Sequence, residues 1–109
     1  MNWIHLTTKE QLDTIQSAQG FNLIFKHSTR CSISMMAKRK FELDWDELPE
    51  NSQVYFLDLL NHRELSNLIA EIFQVHHESP QLLVIKDGEC ILDQSHSDIS
   101  VEEVNEVLA

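Results

Sequence analysis

Phe25-Lys26-His27-Ser28-Thr29-Arg30-Cys31-Ser32-Ile33-Ser34 joins a strand to a helix, and the reading of that junction decides the fold. Upstream of it, Phe21 to Phe25 sets Phe, Leu, Ile and Phe around a single Asn, as in a short buried β-strand. Downstream, the pattern from Met35 onward is helical. Cys31 therefore falls where the first helical N–H groups have no intrahelical acceptor. Those donors, the positive end of the helix dipole and the cations of Lys26 and Arg30 would all favour a thiolate there. A small buried core cysteine is the alternative, but the Ser, Thr and Arg flanks are not those of a core. We read Cys31 as a reactive thiol.

Composition narrows the partners. The 109 residues suit one domain, residues 1–109, with 42% hydrophobic content to fill a core. A formal charge of −10 disfavours nucleic acid and anionic membrane surfaces, so any anion site must be local. Two cysteines, at 31 and 90, are too few for the disulfide framework of a small secreted domain. The amino terminus lacks the basic flank and apolar run of a signal peptide, and no stretch reaches membrane-spanning length. The cytoplasm is the expected compartment, and a monomer the expected form.

Outward from the junction, Trp3, Ile4 and Leu6 suit a short edge strand or a segment packed over the first helix. Thr7 and Glu10 have the spacing of a capping box ahead of Leu12, Ile15 and Ala18, and Gly20 ends that helix. The helix after Cys31 carries Met35, Met36, Phe41, Leu43 and Trp45 until Pro49, with the two Met expected as core filler. Val54 to Leu60 reads as a strand covered on both faces. Asn61 and Glu64 then cap a helix whose Leu65, Leu68, Ile69, Ile72 and Phe73 form one buried stripe. Asp87-Gly88 joins two antiparallel strands, Leu82 to Ile85 and Cys90 to Leu92. Ser100 and Glu103 open a last helix facing inward through Val101, Val104, Val107 and Leu108.

The resulting order, helix, strand, helix, strand, helix, hairpin and closing helix, predicts a layered α/β domain with a central mixed β-sheet. Its first two clear strands run parallel through a right-handed crossover, and the carboxyl end of the first carries the chemistry.

These residues resemble the thioredoxin fold, a three-layer α/β/α domain whose redox motif has two cysteines separated by two residues at a strand-to-helix turn. Cys31-Ser32-Ile33-Ser34 is similar to that motif with serine in the second cysteine's place, and Ser79-Pro80 resembles the family's cis-proline loop. The longer strings, residues 25–34 and His77-Glu78-Ser79-Pro80-Gln81, resemble the monothiol bacilliredoxins of the bacillithiol redox system, over nearly the whole chain. The sequence departs from many relatives at Ser32, where they have proline. The resemblance implies a monothiol disulfide oxidoreductase. Cys31 would attack protein–bacillithiol mixed disulfides, with no bound cofactor, and bacillithiol would be the co-substrate that resolves the adduct. Bacillithiolated proteins would be the partners. Thr29, Arg30, Ser32 and Ser34 would shape the motif, and Ser79 with Pro80 would hold an extended substrate by main-chain hydrogen bonds.

Each of these residues also has a plainer reading. Ser34 suits any first helical turn. Pro80 could be an ordinary loop proline. His27 could act as base or cation beside Cys31, or simply pack. The histidines at 5, 27, 62, 76, 77 and 96 have no zinc-site spacing, so no metal is expected. Two other functions stay open. A glutaredoxin-like iron–sulfur or glutathione protein would use Cys31 as a cluster ligand. A non-catalytic thioredoxin-like binding module would use the Cys31 face to hold a partner.

Overall fold

A computed structural model describes residues 2–109. The strands are β1 (Trp3–His5), β2 (Phe21–His27), β3 (Val54–Asp58), β4 (Gln81–Lys86) and β5 (Glu89–Ser95). The helices are α1 (Lys9–Ser17), α2 (Ser32–Leu43), α3 (Arg63–Phe73) and α4 (Val101–Leu108). The five strands form one sheet in the order β1-β3-β2-β4-β5. β3 lies parallel to both β1 and β2, while β4 is antiparallel to β2 and to β5, which gives the mixed sheet expected.

One apolar cluster joins α1 and α3 to one face of the sheet through Leu12, Ile15, Ile24, Leu65, Ile69 and Phe73. The other joins α2 and α4 to the opposite face through Leu23, Phe25, Ala37, Phe41, Val101 and Val104. Each fully buried Leu, Ile or Phe contributes roughly 1.5–3 kcal/mol of transfer free energy before entropy is charged against it. The three layers are thus held by the alternation of the strands, Leu23 and Phe25 pointing one way and Ile24 the other.

Several local expectations are corrected. The α1 N-cap is Thr8, whose hydroxyl accepts from Gln11 N at 3.2 Å while Gln11 Oε1 accepts from Thr8 N at 3.1 Å; the Thr7/Glu10 box is out of register by one residue. Gln11 also donates from Nε2 to the His5 carbonyl at 2.9 Å, a tie to β1 that Glu10 could not make. Neither Asn61 nor its side chain caps α3: the N-cap is His62, and Asn61 instead donates to the Asp58 carboxylate at 2.8 Å. At α4 the Ser100 hydroxyl accepts from Glu103 N, but Gln94 completes the box by accepting from Ser100 N at 3.2 Å and donating to Glu103 Oε2 at 2.9 Å. Val107 points outward rather than inward.

The largest correction concerns α2. Met35 and Met36 are 58% and 72% exposed, so they are not core filler, and Leu43 is exposed with them. Only one stripe of α2, Ser34, Ala37 and Phe41, faces the sheet, and both Met lie off it. The helix ends at Leu43, leaving Trp45 in a separate 3-10 turn against Trp3 and Phe41.

Candidate active site

Cys31 is the N-cap of α2, with extended backbone angles of φ −109° and ψ 121°. Its N–H donates to the Ser28 carbonyl at 3.2 Å, and its own carbonyl accepts from Met35 N at 3.1 Å, which begins the helix. The thiol is free and half-buried. It titrates below an ordinary cysteine, first because the Ser34 backbone N–H favours a charged sulfur and next because the Ser34 hydroxyl does; a weaker cost of burial opposes them, and the Ile33 N–H adds a little. No neighbour satisfies the buried Ser34 hydroxyl in full hydrogen-bond geometry, so its proton is free to turn to the sulfur once that sulfur is ionised.

The two expected cations are placed differently from each other. Lys26 points to the other face of the sheet, wholly buried, where Nζ donates to the Ser66 carbonyl at 3.1 Å and meets His77 Nδ1 at 3.2 Å. Arg30 stands exposed with Thr29 in the turn, and Ser32 is exposed as the first residue of α2. Side chains alternate within β2, so Lys26 takes the face of Ile24, under α3, while Phe25 takes the face covered by α2.

His27 ends β2, buried against the rings of Phe25 and Phe56 at centroid distances of 6.4 and 5.1 Å. Burial and the nearby Lys38 cation hold its imidazole below the usual range, against the pull of Asp58. Its Nδ1 has no hydrogen-bond partner. Packing is therefore what the geometry assigns to it.

Pairing of Lys26 with Gln81 sets the amino end of β4 beside the carboxyl end of β2. Ser79 and Pro80, just ahead of Gln81, accordingly lie at the same end of the sheet as the Cys31 turn. Their peptide bond is cis, the Pro80 carbonyl accepts from His96 N at 3.0 Å, and the Ser79 hydroxyl is buried without a partner. Alongside α2 runs an apolar groove of about 420 Å³ lined by Ile33, Met36, Ala37, Lys40, His96 and Ile99. The exposed Met36 that the sequence assigned to the core thus lines a surface groove together with Ile33 of the first turn of α2. Among the described residues no three His, Cys, Asp or Glu side chains gather into a metal-binding group. No described helix is long and apolar enough to cross a membrane.

Cys90 is remote. It pairs with Ile85 near the hairpin turn, while Gln81 at the start of β4 is the residue next to the site. Four residues of strand at about 3.3 Å each separate those ends, roughly 13 Å before the cysteine turn itself is counted. Burial pushes the Cys90 thiol up to about 11. Ser66, which the reading of the sequence left out, and His77 and Gln81, to which it gave no role, prove to be joined to Lys26 or to the loop ahead of Pro80. A lysine inside an otherwise apolar strand was the signal for such a group.

A cysteine at a strand-to-helix turn, with an X-Pro loop beside it at one end of a β1-β3-β2-β4-β5 sheet, defines a thioredoxin-fold thiol oxidoreductase. Residues 4–104 match the monothiol bacilliredoxin BrxC family, and the chain belongs to it. Among solved structures, one provisionally described as an oxidoreductase with a thioredoxin fold is 28% identical, with a TM-score of 0.85 over 98% of this chain and 94% of that one. The reduced thioredoxin pre-protein of Schistosoma mansoni is 15% identical with a TM-score of 0.72, covering 99% of this chain and 96% of its own. A thioredoxin of Malassezia sympodialis is 14% identical with a TM-score of 0.73, covering 98% and 88%. The last two bear on the fold alone.

Proposed function

We propose that the protein reduces mixed disulfides between proteins and bacillithiol by a monothiol route through Cys31. The observation that carries this reading is that the first turn of α2 offers Cys31 a thiolate-favouring set of donors and, at Ser34, a hydroxyl where a dithiol enzyme has its second sulfur. The Cys31 thiolate attacks the bacillithiol sulfur of the mixed disulfide. A Cys31–bacillithiol bond forms, and the substrate protein leaves as a thiolate that takes a proton from water. A second bacillithiol thiolate then attacks the bound bacillithiol sulfur, releasing bacillithiol disulfide and regenerating the Cys31 thiolate. The exchange is balanced by the second thiol and needs no bound cofactor. Exposed Ile33 and Met36, in the first turns of the helix that Cys31 opens, support a protein as the first substrate. A cytoplasmic monomer, read from the composition, completes the proposal.

The test is intact-mass analysis after incubation with a bacillithiolated protein. One bacillithiol should be found on Cys31, removed by added bacillithiol, and none on a Cys31→Ser variant. A protein that takes up no adduct, or takes up glutathione equally from a glutathionylated substrate, would sink the bacillithiol assignment.

A further inference from the structure

Among the described residues Lys26 is the one fully buried cation with no carboxylate in ion-pair reach, and it points to the face of the sheet away from α2. Burying an ammonium without a counter-ion is costly, so its hydrogen bonds carry unusual weight. There are two. The Ser66 carbonyl, in the first half of α3, accepts at 3.1 Å, and His77 Nδ1 lies at 3.2 Å. An ammonium has no acceptor, so His77 Nδ1 must be the unprotonated nitrogen, and the Ser66 hydroxyl converges on it at 3.3 Å.

His77 lies on the segment that leads from α3 to Pro80. The neighbour of Lys26 across the β2–β4 pairing, Gln81, is also fully buried and holds the same segment. Its Nε2 donates to the His76 carbonyl at 2.9 Å, and its Oε1 accepts from Glu78 N at 3.4 Å. Two side chains anchored in adjacent strands thus grip residues 76, 77 and 78, immediately ahead of Ser79.

We propose that Lys26 is a positioning residue which, with Gln81, clamps the loop ahead of Ser79 to the sheet and so fixes where the Ser79 backbone stands relative to Cys31. The role rests on the exchange reaction proposed above, in which that backbone holds the substrate. It differs from the thiolate-stabilising role that the sequence suggests for the same lysine. A misplaced substrate loop weakens binding and alignment, whereas a lost cation would weaken the nucleophile itself.

Three variants separate these. Lys26→Met keeps the length of the side chain and removes the ammonium. His77→Ala removes the acceptor from an exposed position, where folding is least at risk, and His77→Asn restores an acceptor near Nδ1. Hydrogen exchange of the 74–79 segment reads the clamp directly, with no substrate present. It should quicken by about threefold or more in Lys26→Met and His77→Ala and return toward wild type in His77→Asn. With a bacillithiolated protein as substrate, KM should rise roughly three- to tenfold in the first two, while the pH profile of Cys31 alkylation stays where it is. Unchanged exchange in both Lys26→Met and His77→Ala overturns the clamp. So does an alkylation profile displaced to higher pH in Lys26→Met, which would make Lys26 a thiolate stabiliser. If the wild type does not turn over the bacillithiolated substrate, the functional reading falls, and the exchange measurement still decides the clamp.

Discussion

Ser34 stands three residues after Cys31 in the first open turn of α2, and its backbone N–H does most to hold the Cys31 thiol below its ordinary range. A neutral thiol is a poor N-cap, and the Cys31 side chain makes no capping hydrogen bond in that form. A thiolate is a good one, because the donors of the first turn are otherwise unsatisfied and the helix dipole favours a negative charge. Ionisation and capping are therefore the same event at this residue.

The first prediction follows directly. The midpoint of Cys31 alkylation against pH should lie below that of an unperturbed thiol. Ser34→Ala should move it upward without reaching the unperturbed value, because the Ser34 and Ile33 backbone donors remain. At neutral pH the alkylation rate should fall several-fold. An unchanged profile in Ser34→Ala would remove the hydroxyl from the account of this site.

A second prediction concerns Lys26 and stability. Burial brings its amine down from 10.5 to about 8. Between those values the unfolded chain holds a proton that the folded chain has released, so stability should rise with pH across that window, by at most about 3 kcal/mol. The groups facing this amine are His77 and, beyond it, Glu78 and His76, with Arg63 lining the same small cavity. Cys90 works in the opposite sense, since its folded thiol stays protonated up to about 11 and stability is lost as pH rises from 9.0. Urea unfolding in a Cys90→Ser background isolates the lysine. There, Lys26→Met should be neutral or stabilising at pH 7, since it removes an unpaired buried charge, and should lose that advantage by pH 10. A stability difference that stays constant with pH would contradict the buried-amine account.

Third, Gly88→Ala should be destabilising on the order of 2 kcal/mol or more, from strain and overlap together. Asp87 and Gly88 both have positive φ, 50° and 83°, and a Cβ on Gly88 would run into the Gln16 carbonyl of α1. The turn is docked as well, with Asp87 N donating to the Gly20 carbonyl and Gly20 N to the Asp87 carboxylate, both at 2.8 Å. Thermal unfolding of the variant measures it, and a melting temperature equal to wild type would contradict the contact.

Legibility in the sequence follows how local each determinant is. The α3 stripe and the Asp87-Gly88 turn depend on spacing and on backbone chemistry within a few residues, and both stand as read. Cys31 at the helix terminus was equally local. What could not be read was direction. Whether Lys26 points toward Cys31 or behind it depends on which face of β2 each residue takes, and whether Met35 is core or surface depends on how α2 is rotated over the sheet. The Lys26 half of the clamp joins partners 40 and 51 positions apart, which no short pattern encodes.

The final prediction concerns the two cysteines, which a count alone would pair as attacker and resolver. Gln81 opens β4 beside the site, and Cys90 is the second residue of the return strand, next to the hairpin turn at the far end. A disulfide needs Cα atoms within about 7 Å, which the length of β4 forbids. The chemistry agrees with the geometry. The Cys90 thiol packs against the α1/α3 cluster, donates to the Leu92 carbonyl at 3.4 Å and is pushed up to about 11, so it is scarcely ionised where Cys31 is reactive. Native-state alkylation at neutral pH should accordingly mark Cys31 and spare Cys90. Cys90→Ser should leave reduction of a bacillithiolated protein within about twofold of wild type, at a small cost in stability, whereas Cys31→Ser should abolish it. Peptide mapping of the oxidised wild type is the decisive measurement. A 31–90 bridge within one monomer would contradict both the hairpin register and the monothiol route, because it would supply the internal resolving thiol that Ser34 cannot be.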